Sequence, residues 1–405
     1  VDGSEDLPNQ RALDLLQTLV AIPSPSGQEG RAAAWLAEWM AAHGLDASLD
    51  AAGNAVGTRG AGPRQVLLLG HIDTFPGELP VRRDGDWLYG RGTVDAKGPL
   101  CAFAAAAAGL DVPAGWRVTV VGAVEEEAAT SRGARHLLAQ WPAPAACIIG
   151  EPSGWERITL GYKGRLLVEI TLRAPFAHSA GQARPPAEQA VELWNAVVAY
   201  CAAFNAGREA AFDRLDPTLY HIVTQDEGAY GTAQLNLGFR LPPDVQISNL
   251  KSQIANQQIS KSATSNFQHL TSNVQHPISP GPRGAAGLPL RHRPRGAGNL
   301  QPPTSNLHFT FSGAEVAFRA EKNTPLVRAF LASIREQGGR PRFVLKTGTS
   351  DMNVVGPAWG CPIVAYGPGD SALDHTPEER ISLDEYLRSI EVLKSMVNTL
   401  VKERM

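Results

Sequence analysis

Hydrolytic metal chemistry needs imidazoles and carboxylates brought to one place, and this chain supplies them in a repeating pattern. Gly70-His71-Ile72-Asp73 follows the apolar run Val66-Leu67-Leu68-Leu69, and Gly90-Arg91-Gly92-Thr93-Val94-Asp95-Ala96-Lys97-Gly98 comes shortly after it. A neutral imidazole among clustered carboxylates is a donor set for Zn²⁺ or a similar divalent ion. Val118-Thr119-Val120-Val121 leads into Glu125-Glu126-Glu127, and Cys147-Ile148-Ile149 leads into Gly150-Glu151-Pro152. Ile363-Val364-Ala365-Tyr366 precedes a Gly/Pro loop and then Asp374-His375-Thr376-Pro377. Taken singly, each piece has an ordinary reading: a turn, a loop His, or a run of Glu on a solvated face. The repetition of one pattern, strand then ligand, carries the metal reading. It also accounts for acids beside strand ends, where desolvation would otherwise be costly. Two His and several carboxylates could hold two ions that share one bridging Asp.

The elements that position these groups follow from the apolar periodicity. Short β-branched runs read as buried strands, and polar groups beyond them fall in the crevice at the carboxyl end of an open α/β sheet. Residues from about Gln10 to Gly44 read as two amphipathic helices broken at Pro23-Ser24-Pro25-Ser26-Gly27. Strands and helices then alternate to about Glu151, which implies a sheet with helices on its faces. From Gly164 the texture changes: Arg165 to Leu172 alternates as a strand, Pro186 to Asn205 is helical, and Ala233 to Phe239 is a strand. Asn323 to Gln337 reads as a helix, after which the strand-and-loop pattern returns. A small α/β domain inserted into a larger one is therefore expected.

A length of 405 residues suits two domains, and 43% apolar residues suit a substantial core. A net charge of -3 argues neither for nucleic acid nor for an anionic membrane. Cys101, Cys147, Cys201 and Cys361 are widely separated, lack paired metal spacing, and read as reduced thiols of a cytoplasmic protein. The amino terminus shows no basic-then-apolar signal pattern, and no apolar run approaches a membrane span.

One segment departs from the rest. Between Asp244 and Glu315 there is no Asp or Glu, although acids number 40 in the 405 residues. Asn, Gln, Ser and His dominate there, followed by Pro, Gly and Arg, so residues 245–306 are expected to be largely irregular. A foreign or frame-shifted insertion is the favoured explanation, ahead of a basic patch for nucleic acid or an acidic partner.

These motifs together resemble the M20 family of co-catalytic metallopeptidases and deacylases, which includes acetylornithine deacetylase, succinyl-diaminopimelate desuccinylase and glutamate carboxypeptidase. The resemblance covers nearly everything except the acid-free segment. It implies an α/β fold: an open mixed-sheet metallopeptidase domain with helices on both faces, plus an inserted smaller ferredoxin-like α/β domain for dimerisation and as a lid. The expected divisions are residues 1–163 and 318–405 for the catalytic domain and 164–317 for the insertion.

By the same resemblance, His71 is similar to the ligand of one metal, Asp95 to the bridging ligand, and Asp73 to the carboxylate that orients His71 through its other ring nitrogen. Aligning the strand Val118 to Val121 without gaps makes Glu126 the general base and Glu127 a ligand; a slip of one residue would give Glu125 and Glu126 instead. Glu151 and His375 resemble the remaining terminal ligands. His178, in Ala177-His178-Ser179-Ala180, resembles the His that crosses a dimer interface to polarise the scissile carbonyl. Arg240 resembles the binder of the substrate carboxylate, a task that suits a guanidinium fork.

A narrower likeness is visible in Gly150-Glu151-Pro152-Ser153-Gly154-Trp155, Gly161-Tyr162-Lys163-Gly164-Arg165 and Thr347-Gly348-Thr349-Ser350-Asp351-Met352-Asn353. It resembles the amino-group-carrier-protein lysine/ornithine hydrolases. That likeness implies two divalent metals, Zn²⁺ or Co²⁺, a homodimer, and a substrate of lysine or ornithine held on the carrier's terminal Glu side chain. Thr349 and Asn353 are expected to hold the amino-acid end. A small-molecule deacylase or exopeptidase of the same family is the alternative. A catalytically silent binding protein is the alternative of a different class, which the general-base Glu argues against.

Overall fold

The computed structural model describes residues 6–176, 184–255 and 306–402. Two compact units divide the chain: Val1–Arg165 with Leu241–Pro243 and Glu315–Met405, and Leu166–Arg240 with Asp244–Ala314.

The larger unit is built on a mixed sheet. Its middle strands are Ala55–Arg59, Trp116–Ala123, Arg64–His71, Ala146–Gly150, Ile363–Tyr366 and Arg157–Tyr162, in that spatial order, with Asp46–Leu49 at one edge and Phe318–Arg319 at the other. The core strands run parallel. His71 pairs with Ala123, Gly70 with Gly150, and Tyr366 with Gly150, so four strands end on one level. Strands buried on both faces are near-continuous hydrophobic runs, as here. Val66, Leu68, Val118, Val120, Ile148 and Val364 face one apolar core; Leu67, Leu69, Val121, Cys147, Ile149 and Ala365 face the other. Each fully buried Val, Leu or Ile contributes roughly 1.5–3 kcal/mol.

Helices cover both faces. Asp6–Val20, Gly30–Ala42, Lys97–Ala108, Pro325–Glu336 and Leu383–Lys402 supply the first core, while Arg132–Gln140 and Asp351–Trp359 supply the second. Gly150 and Gly70 let two strands and Phe103 approach closely: a Cβ on Gly150 would lie 3.0 Å from Gly70 Cα and 2.9 Å from the Phe103 ring. A separate three-stranded sheet joins Arg82–Asp84, Trp87–Tyr89 and Arg380–Ser382.

The smaller unit is a four-stranded sheet ordered Asp216–Glu227, Tyr230–Leu241, Gly164–Pro175, Asn306–Glu315. With the helices Pro186–Phe204 and Ile247–Ala255, the order among the described residues is βαββαβ, the ferredoxin-like arrangement. Leu166, Val168, Ile170 and Leu172 alternate inward, and so do Ala233, Leu235, Leu237 and Phe239. Asp216–Glu227 lies at an edge and exposes Tyr220 (50%), Ile222 and Val223.

The expectation of an irregular chain after residue 245 needs correction at its start. Ile247–Ala255 is a helix that buries Leu250 and Ile254. Ile247, Leu250 and Ile254 follow helical spacing, a signal masked by the surrounding Asn, Gln and Ser. The strand Asn306–Glu315 closes the segment. Residues 256–305, on which the insertion hypothesis bears, lie outside the described residues. Cys101, Cys147 and Cys201 are buried free thiols and Cys361 is half-buried. Among the described residues, no helix is long and apolar enough to cross a membrane.

Candidate metal centre

Parallel strands of equal register deliver their following residues to one rim, and the donors converge there. His71 ends its strand, Glu151 follows Gly150, and Glu126 and Glu127 lie just past Ala123. Among the described residues, one donor atom from each of His71, Asp95 and Glu151 lies within 4.8 Å of the other two. Asp95, Glu127 and His375 form a second such group. Asp95 belongs to both: its Oδ1 is 3.3 Å from His71 Nε2 and its Oδ2 is 2.9 Å from His375 Nε2. Glu127 Oε1 lies 2.8 Å from His375 Nε2. Two imidazoles turned to opposite oxygens of one carboxylate, each backed by a further acid, are a donor set for two neighbouring divalent ions. The peptide joining Asp95 to Ala96 is cis.

Asp73 does more than orient an imidazole. It is fully buried. His71 Nδ1 donates to the Asp73 carbonyl oxygen at 3.0 Å and lies 3.4 Å from its Oδ1, which leaves Nε2 to face Asp95. The same carboxylate accepts the N–H of Glu126 at Oδ1 (3.1 Å), and at Oδ2 the N–H of Glu127 (3.0 Å) and the Ser26 hydroxyl (2.7 Å). One side chain thus holds the ring of His71 and the backbone of the Glu loop. Buried Glu29 adds a second clamp, accepting the N–H groups of Gly27 (2.7 Å) and Glu125 (3.1 Å). Neither Ser26 nor Glu29 carried a recognisable signal in the sequence.

The triple Glu is sorted by backbone geometry. Glu125 has φ +59 and turns its carboxylate to Arg132 (2.7 Å) and Thr130 (2.6 Å). Glu127 enters the second donor group, and Glu126 lies between, half-buried, its charge interacting with those of His71, Glu127 and Glu151.

The charges are tightly interdependent. Burial would raise Asp95, but hydrogen bonds from His375 and His71 hold it well below the usual carboxylate range. Burial would lower His71, yet Asp73 and Asp95 hold its pKa well above the ordinary imidazole value. Hydrogen bonds to Asp95 and Glu127 push His375 up to about 10. Burial, with His71 opposing, pushes Glu126 well above a normal carboxylate. Burial and neighbouring Glu126 do the same to Glu151. Burial raises Asp351 to about 7 and Asp374 to about 9. His375 is the most open donor, with 40% of its side chain exposed, and Phe75 stacks on its ring at 4.3 Å and 15°.

Three of the remaining expected site residues lie among the described residues. Asn353 is hydrogen-bonded to the protein's own backbone. Its Oδ1 accepts the Ser350 N–H (3.0 Å), completing a capping box on the helix Asp351–Trp359. Its Nδ2 donates to the carbonyls of Val316 (2.8 Å), Lys163 (3.1 Å) and Tyr162 (3.4 Å). The buried amide is committed to the backbone, which corrects its expected role as a substrate contact. Thr349 is half-buried in the loop before that helix. Lys346, which the sequence did not single out, ties this loop region down by donating to the Pro152 carbonyl (2.9 Å) and to Ser371. Arg240 is the penultimate residue of the strand Tyr230–Leu241, in the smaller unit, and pairs with Asp216. His178 lies outside the described residues.

The profile of peptidase family M20/M25/M40 matches residues 67–399. The chain is 42% identical over 398 residues to a LysW-lysine hydrolase of Deinococcus radiodurans, covering 97% of this chain and 98% of that one. Among solved structures, an M20 family metallo-carboxypeptidase of Sulfolobus solfataricus is similar with a TM-score of 0.70 at 17% identity, over 96% of this chain and 99% of that one. The Bacillus subtilis YxeP protein, a dinuclear metal-binding peptidase of the same family, is similar with a TM-score of 0.61 at 10% identity, over 98% and 99% of the two chains.

Proposed function

The chain belongs to peptidase family M20/M25/M40, and from that premise we propose a metal-dependent amide hydrolase that releases lysine from the terminal Glu side chain of the carrier protein LysW. The observation that carries this reading is the pair of donor groups sharing Asp95, on a chain alike over nearly its whole length to a LysW-lysine hydrolase. His71, Asp95 and Glu151 would hold one ion; Asp95, Glu127 and His375 would hold the other. Imidazole and carboxylate donors suit Zn²⁺ first, and Co²⁺ fits the same set. Two ions bound there would polarise the scissile carbonyl and acidify a water.

The protein's own groups manage the protons. Glu126 is half-buried, and desolvation makes it hold a proton more readily than a free carboxylate. It takes the proton from the attacking water and passes it to the leaving amine, a role worth typically about 10²–10⁴ in rate. Asp73 keeps Glu126 and His71 in mutual register through the contacts described above. His178 supplies a donor to the carbonyl oxygen as negative charge develops on it. Arg240 and Thr349 bind the amino-acid end, the guanidinium fork suiting its carboxylate.

The enzyme works as a homodimer, with His178 serving the partner's site. The strand Asp216–Glu227, at the sheet's edge among the described residues and with Tyr220, Ile222 and Val223 exposed, and the helix Pro186–Phe204, with Val191 and Val198 exposed, support this. An exposed hydrophobic edge strand invites another strand. The free thiols suit a reducing cytoplasm. Ornithine differs from lysine by one methylene, worth only about 1–3 kcal/mol in a pocket. Purified LysW-lysine, LysW-ornithine and acetylornithine, offered in competition, test the reading. Metal-dependent lysine release from the carrier should dominate. Preferred turnover of acetylornithine would replace it with a small-molecule deacylase.

A further inference from the structure

The loop that presents Asp95 is held from the far end of the chain. Glu379 is 1% exposed. Its Oε1 accepts three backbone N–H groups: Gly92 at 2.9 Å, Val94 at 3.0 Å and Asp95 at 3.2 Å. Its Oε2 accepts from the Arg91 guanidinium at 2.7 Å, and Arg91 Nε in turn donates to the Gly77 carbonyl at 3.0 Å. The main chain joins in, since Gly90 N–H donates to the Glu379 carbonyl at 3.3 Å. Register explains the meeting. Glu379 immediately precedes the strand Arg380–Ser382, whose Arg380 pairs with Tyr89, the residue before Gly90.

These contacts are more than a loop needs for closure. Buried N–H groups must find acceptors, and leaving one orphaned costs about 1–3 kcal/mol. Here one carboxylate oxygen serves three, and the third belongs to the residue whose two carboxylate oxygens face His71 and His375. Gly92 has φ +86, and a Cβ there would lie 2.8 Å from Thr74 Cγ2, so the backbone at the centre of this cradle has little alternative path. Glu379 also sits four residues beyond His375. The segment that brings one terminal donor therefore also sets the loop that brings the shared one.

We propose that Glu379 is a positioning residue for the metal pair, setting through the N–H groups of Gly92, Val94 and Asp95 where the shared carboxylate sits between His71 and His375. The proposal rests on Asp95 as the common ligand.

The test is titration of metal-free protein with Co²⁺, read by calorimetry and by the visible d–d absorption, with thermal melts of the metal-free forms alongside. Glu379→Gln keeps an oxygen for the three N–H groups but turns an amide toward Arg91. It should weaken Co²⁺ binding about 3–10-fold and shift the absorption band. Glu379→Met should weaken binding about 10–100-fold, the usual range for losing an outer partner of a ligand. Arg91→Met lets the carboxylate swing without removing it and should show the Gln spectrum in weaker form. Lowered melting temperatures with wild-type Co²⁺ affinity and spectrum would overturn the proposal. If Glu379→Met fails to fold, the Gln and Arg91 variants decide alone. Asp95→Asn separates the two claims. Loss of Co²⁺ binding in that variant alone sinks the positioning role, and wild-type binding in it sinks the shared-ligand reading itself.

Discussion

Replacing Asp73 with Asn should loosen one ion of the pair and spare the other. An Asn amide nitrogen in the Oδ1 position would orphan the Glu126 N–H and would also crowd a second donor, His71 Nδ1, although that ring nitrogen keeps its backbone carbonyl partner. In the Oδ2 position it would face the Ser26 hydroxyl, which can rotate to accept, and the Glu127 N–H, which cannot. The second orientation costs less, so the variant should adopt it and orphan a single N–H. An unsatisfied buried donor costs about 1–3 kcal/mol, which is about 5–150-fold in an equilibrium constant. The orphaned group is Glu127, a member of the donor group with Asp95 and His375. Calorimetric titration of metal-free Asp73→Asn with Zn²⁺ should therefore show one step near wild-type affinity and a second weakened by one to two orders of magnitude. Equal weakening of both steps, or of neither, would refute the chain of reasoning from carboxylate geometry to ion occupancy.

Further outcomes follow from the same site. Glu126→Gln should fold and bind two ions but lose about 10²–10⁴ in kcat; near-normal turnover would remove Glu126 as the base. Mixing His178→Ala with Glu126→Gln protein should restore activity in mixed dimers that own one intact site. No recovery after demonstrated subunit exchange would remove the role in trans. In metal-free protein, His375 titrates near 10 because Asp95 and Glu127 hold its proton. A pKa raised on folding stabilises fully below the unfolded value of about 6.5 and is lost as pH climbs through the folded one. Melting temperatures of the metal-free form should thus lose this contribution between about pH 6.5 and 10. Metal affinity should rise over the same range as the proton is surrendered, with proton release measurable by calorimetry in buffers of different ionisation enthalpy.

Much of this centre was legible from residue order. Parallel strands place the residues after their carboxyl ends together, so Val66 to Leu69, Val118 to Val121, Cys147 to Ile149 and Ile363 to Tyr366 announced where donors would meet. What escaped was carried by long-range hydrogen bonds, which leave no periodic trace. Glu29 reaches Glu125, Ser26 reaches Asp73, and Glu379 reaches Asp95 only once the sheet has formed. The choice within Glu125-Glu126-Glu127 depends on a left-handed backbone at Glu125 that three identical side chains cannot reveal. Asn353 was misread because a polar residue in a loop motif suggests a ligand contact, whereas here it caps a helix and binds carbonyls. The strand Asp216–Glu227 gave no alternation because both its faces are exposed along most of its length.

The two donor groups differ in one respect that matters for how the enzyme is loaded. His71 and Glu151 are 2% and 8% exposed, whereas the His375 side chain is 40% exposed beneath a single stacked ring. Cations should therefore exchange at unequal speeds, the outer position emptying first under a chelator and refilling first from the medium. A preparation starved of metal would then be a uniform population of half-loaded molecules rather than a mixture of full and empty ones. Supplying a second element at that stage should yield a heteronuclear enzyme with the newcomer on the His375 side.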